Sequence, residues 1–135
     1  MEVEYPWVRE ELIERLNELS NPIWQKQAWI EKKFDTDSYF YNFDSMIHFF
    51  LDDWRFQDNI KEYIGIILKS EEEAQSITKL VATLFKVLHA VDAEGKSSDD
   101  DHITHPFWSS VISAAREALD AFSRAEYNGF PKKAD

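Results

Sequence analysis

The chain has 135 residues, 44% of them apolar and 15% aromatic, which is enough to close one hydrophobic core and argues against intrinsic disorder. The absence of cysteine excludes disulfides, thiolate nucleophiles and Cys-containing zinc sites. Against 26 Asp and Glu stand 15 Lys and Arg, a formal net charge of −11 that disfavours direct contact with nucleic acid or an anionic membrane.

Only three glycines occur, few for a sheet protein with tight turns, and the apolar spacing is helical nearly throughout. The first helix is expected from Pro6 to Leu19, where Val8, Leu12, Leu16 and Leu19 form one stripe and Pro6 suits a first helical position. Ser20-Asn21-Pro22 ends this helix and starts another, with Asn21 as cap. The second carries Ile23, Trp24, Ala28, Trp29 and Ile30 and closes on Lys32-Lys33. An ordered acidic and aromatic loop, Phe34 to Tyr41, follows. Asn42 is placed as the cap of a third helix bearing Phe43, Met46, Ile47, Phe50, Leu51 and Trp54. A short helix or turn over Ile60 to Ile67 is interrupted near Gly65.

Ser70-Glu71-Glu72-Glu73 reads as a capping box with three carboxylates at the positive end of a helix dipole, and capping alone accounts for the three. The helix then carries Ala74, Ile77, Leu80, Val81, Leu84, Phe85, Leu88 and Val91. Ala93 to Thr104 is expected to be a mobile loop. Thr104 is then the cap of a last helix entered through Pro106, with Phe107, Trp108, Val111, Ile112, Ala115, Leu119 and Phe122 inward. With no repeat and no boundary, residues 1–135 form a single all-α domain, a bundle of about five helices whose tail frays from 128. The N-terminus lacks the basic region and apolar core of a signal peptide, and no apolar run approaches the ~20 residues of a membrane span, so a cytoplasmic location is expected.

Chemistry finds few footholds. Asp44, His48 and Asp52 are spaced i, i+4, i+8 along one side of the third helix, a set able to hold a divalent metal and the basis of a metal-dependent hydrolase reading. Bundle metalloenzymes draw ligands from several helices, however, and His48 among Met46, Ile47, Phe49 and Phe50 reads as a core-edge residue bonded to Asp44 or Asp52. Asp99, Asp100, Asp101, His102 and His105 lack the spacing of a calcium loop and read as solvated. The serines have no nucleophile elbow, and the scattered glycines build no phosphate-binding loop. No catalytic residue, cofactor or metal is assigned.

What remains is acid beside aromatic residues. Asp35 and Asp37 with Tyr39 and Tyr41, then Asp52, Asp53 and Asp58 with Trp54, form the expected partner-binding face. Carboxylates steer a basic protein and pair with its Lys and Arg, while Tyr and Trp provide desolvated anchors.

Gln27-Ala28-Trp29-Ile30, the block Ser45 to Asp53, Ile64 to Leu68, Glu72-Glu73-Ala74 and Pro106-Phe107-Trp108 together resemble a family of small uncharacterised bacterial helical proteins, over roughly residues 25 to 120. In size, acidity and helical make-up the chain also resembles immunity proteins of bacterial toxin–immunity pairs, including contact-dependent growth inhibition systems. That resemblance implies a non-enzymatic protein whose partner is a cognate toxin domain, often a basic nuclease, with the active site covered. A non-toxin adaptor or regulatory subunit fits the same residues.

Overall fold

A computed structural model describes residues 2–32 and 42–129 of the chain. Helix α1 spans Pro6–Leu19, opens on Pro6 and buries Val8, Leu12, Leu16 and Leu19 as the stripe predicts. Asn21 caps the next element by accepting a 3.0 Å bond from the Trp24 amide. Here regularity ends early: α2, Pro22–Gln25, passes at once into a π-turn, Lys26–Ile30, closed by the Glu31 amide on the Lys26 carbonyl. The wider turn puts the neighbours Ala28 and Trp29 both in the core, while Ile23 is left 71% exposed. Lys32 then takes a left-handed conformation, so the run ends short of the expected Lys32-Lys33.

The third element repeats the device. Asn42 accepts from the Ser45 amide at 2.7 Å and starts α3, Phe43–His48, which widens into a π-turn over Phe49–Asp53. Three consecutive residues of this turn, Phe49, Phe50 and Leu51, are buried, more than the single apolar stripe of an amphipathic helix provides. Phe49 was outside the predicted apolar set for this reason. A 3₁₀ turn, Ile60–Tyr63, and a tight loop closed by the Gly65 amide on the Leu68 carbonyl lead into α4. Gly65 has φ of 92°, the conformation that interrupts the segment as expected.

Helices α4, Glu71–Ala93, and α6, Trp108–Gly129, form the central antiparallel pair: Glu72 meets Arg124 and Lys79 meets Glu117 across it. Ala114, Ala115, Ala118 and Ala121 give α6 a flat buried face against which neighbours approach closely. Helix α1 runs antiparallel to α6, with Arg9 on Glu126 at one end and the Ser20 carbonyl on Arg116 at the other. Val87 joins the core of α4, although the predicted stripe passed it over.

Two sequence expectations are corrected. The segment Ala93 to Thr104 is not one loop but holds a single-turn helix, α5, Asp99–Ile103, with a complete capping box between Ser98 and Asp101. Thr104 closes α5, its hydroxyl donating to the Asp100 carbonyl, and α6 starts at Trp108. His102 of α5 is buried against Phe43, ring centres 4.5 Å apart. Among the described residues the bundle thus has six α-helices, two of them single turns, and no strand. The helix backbone continues through Gly129, beyond the expected start of fraying at 128, and residues 130–135 lie outside the described residues.

The second correction concerns Glu73. Ser70 does cap α4, accepting from the Glu73 amide, but the Glu73 side chain accepts from Lys69 N rather than from the Ser70 amide. It is fully buried and takes both Arg9 Nη atoms, at 2.8 and 2.7 Å. Arg9 also donates to the Ile67 carbonyl and to Glu126, and lies 4.6 Å from the Phe122 ring centre. Removing one partner strands the other as a buried charge. Arg9→Leu is expected to lower the free energy of unfolding by about 3–5 kcal/mol in denaturant titration, and Arg9→Leu with Glu73→Leu to cost clearly less than the sum of the two single changes.

Candidate interaction surface

The described half of the predicted face begins with α3 and its π-turn. Asp52 and Asp53 stand exposed at the end of that turn. His48 is exposed as well, not core-edge, and pairs with Asp52 four residues on. Asp44 is coupled instead to α5: burial, then the charge of Asp44, hold the Asp99 carboxyl above its ordinary range. The stripe Asp44, His48, Asp52 is therefore divided, and among the described residues no three His, Asp or Glu side chains gather to hold a metal ion.

Beyond the π-turn the chain makes two left-handed residues, Arg55 and Asn59, and folds back on itself. Arg55 donates to Asp58 at 2.8 Å across this turn. Trp54 is half-buried rather than presented: it meets Tyr63 edge-on at 6.2 Å, and the Tyr63 hydroxyl donates to the Trp54 carbonyl at 2.5 Å. Burial, then the charges of Asp58 and Glu62, raise the Tyr63 hydroxyl above its usual value. Phe56 drops into the core against Phe49 and Phe50. Between this fold-back and α4 lies a groove of about 530 Å³, floored by Phe56, Ile60, Val81 and Phe85 and rimmed by Lys61 and Glu62. Asp35, Asp37, Tyr39 and Tyr41 lie outside the described residues, so the structure brings together Asp52, Asp53, Trp54 and Asp58 only.

A second acidic and aromatic surface escaped the sequence reading. On α1, Trp7 is 63% exposed and stacks edge-on against Tyr5, ring centres 5.4 Å apart. Glu11, Glu14 and Glu18 surround the buried guanidinium of Arg15 at 3.9, 3.2 and 2.7 Å. The signal was present in the sequence: Trp7 precedes Val8 and so sits about 100° off the stripe that runs through Leu12, Leu16 and Leu19.

The chain belongs to the family of the domain of unknown function DUF7945, which matches residues 3–129. Neither a curated protein nor a solved structure matches it. The match takes in nearly every described element, so both surfaces belong to the family domain. Among the described residues no helix is long and apolar enough to cross a membrane.

The Arg15 cluster carries a pH dependence. Burial lifts the Glu18 carboxyl from 4.5 to about 7, against the pull of Arg15. Between those values the folded chain holds a proton that the unfolded chain has released, so this group makes stability fall as pH rises, by on the order of 3 kcal/mol across the window. Unfolding measured at pH 5 and at pH 8 is expected to show Glu18→Gln gaining on the parent chain at the higher pH. A difference that does not change with pH contradicts this assignment.

Proposed function

We propose that this protein is a non-catalytic inhibitor of the immunity type, which binds a cognate toxin domain through a cationic surface next to its active site. The single observation that supports this reading is how the basic residues are used. Arg9 and Arg15 are buried among carboxylates. Arg55, Lys61, Lys69, Lys79 and Arg124 are each paired with Asp58, Glu71, Glu126, Glu117 and Glu72. Each such pair cancels one acid with one base, so the formal excess of 11 negative charges rests on the remaining carboxylates, among them the exposed Asp52 and Asp53. Such a field accelerates encounter with a polycation, and aromatic contacts then slow its release.

Purified from its native host with an affinity tag, the chain is expected to retain a basic protein whose toxic activity it abolishes at a one-to-one ratio, read by titrating that activity. A retained protein with an acidic surface, or an activity that an equimolar amount of the chain leaves intact, contradicts the reading. The doubly reversed Asp52→Lys, Asp53→Lys chain is expected to bind at least ~tenfold more weakly in calorimetry, a loss of about 1.4 kcal/mol, with an unchanged melting temperature. Unchanged affinity removes that face from the interface.

A further inference from the structure

The outer face of α1 sets an acidic row beside an exposed tryptophan. Trp7, Glu10, Glu11 and Glu14 fall within an arc of about 100° on the side away from Leu12 and Leu16. Glu18 continues the row at the C-terminal end. Trp7 and Tyr5 expose a joined aromatic edge, although large apolar side chains elsewhere are mostly buried. Arg9 is turned into the Glu73 pair, and Arg15 alone serves three carboxylates of the row, Glu11, Glu14 and Glu18, so the row keeps an acidic surplus in which Glu14 remains 71% exposed and Glu10 is exposed as well. Beside the row lies a cleft of about 390 Å³ lined by Glu2, Arg9, Glu10, Ile13, Lys69 and Glu126. Glu126 holds both of its cations, Lys69 at 3.0 Å and Arg9 at 2.9 Å, and Glu2 and Glu10 are its exposed carboxylates.

We propose that this face is a docking surface for a partner protein that presents Lys or Arg side chains around an apolar depression. Trp7 enters the depression, and a cationic side chain of the partner enters the cleft between Glu2 and Glu10. Exposed tryptophan is the residue most enriched among interface anchors, and a rim of carboxylates selects the sign of what surrounds it. Charge also decides against a second copy of this chain as the occupant, because a two-fold contact here sets the acidic row against itself. The groove under Phe56 offers no comparable selection, since Lys61 and Glu62 share its rim. The inference rests on the cationic-partner reading above and adds the outer face of α1 to the one at Asp52 and Asp53.

The test replaces Glu14, Asp53 or His89, one at a time, with photoreactive p-benzoylphenylalanine in the full chain. His89 is exposed on α4, about 24 Å along the helix from Glu73, and serves as the remote control. After irradiation in native-host cells, adducts are identified by mass. The expected result is an adduct from position 14 with a basic protein, none from position 89, and at least a ~tenfold lower yield when Trp7→Ala is added. Glu10→Lys is expected to lower that yield as well, and both changes leave the melting temperature unchanged because both side chains are exposed. An adduct with an acidic protein, with a second copy of the chain, or of equal yield from position 89 overturns the proposal. An adduct from position 53 and none from position 14 overturns this face while the cationic-partner reading stands; none from either position overturns both.

Discussion

The buried pair between Arg9 and Glu73 is the constraint around which the bundle closes. Two charges removed from water cost several kcal/mol each unless nearly every donor and acceptor is met, and here they are. The guanidinium serves Glu73 twice, the Ile67 carbonyl and Glu126, and the second Glu73 lone pair takes the Lys69 amide. These partners lie on α1, on the turn before α4, on α4 and on α6. Hydrophobic contact alone lets helices slide by a turn at modest cost, whereas a bidentate bond does not. The pair therefore sets the register in which the aliphatic stripes of the three long helices meet. Gln25 acts similarly at the opposite end, donating to the Glu18 and Leu19 carbonyls and accepting from the Trp108 indole.

The same economy of cations shapes the exterior. A protein with this acidic excess could have mixed its charges evenly, but the arginines of α1 serve the interior, and Lys61, Lys69 and Lys79 bridge neighbouring elements. A paired base cancels the carboxylate it meets, so the acidic exterior comes from the surplus of 11 acids, and the pairing decides only where that surplus lies.

Features set by neighbours in the chain were legible in the sequence, and those set by distant contacts were not. The bounds of α1 and the caps Asn21, Asn42 and Ser70 depend on a few adjacent residues, and all stand where expected. The π-turns after α2 and α3 arise because Trp29 and Phe49 gain more from the core than regular hydrogen bonding offers, and that gain depends on packing partners far along the chain. Glu73 looked like one capping carboxylate among three because nothing nearby announces Arg9. At the candidate face, Asp52 and Asp53 were legible as acids beside an aromatic residue and stand exposed, whereas Trp54 was drawn inward by Tyr63, a contact made by the fold-back. Helix α5 was hidden by its own composition: three aspartates and two serines resemble a loop, yet Ser98 and Asp101 cap each other and His102 finds Phe43.

The bond from Arg9 to Glu126 spans 117 positions of sequence, and this has a bearing on how the chain is made. At roughly 5–20 residues per second, α1 leaves the ribosome some 6 to 24 seconds before the last turn of α6 that completes its seat. Throughout that interval its leucine stripe and Arg9 lack the partners that α6 supplies. The helix made first is the one secured last, and contacts of such long range slow the closing step of folding. Its row of glutamates then has a use before any partner arrives, since like charges keep waiting chains apart.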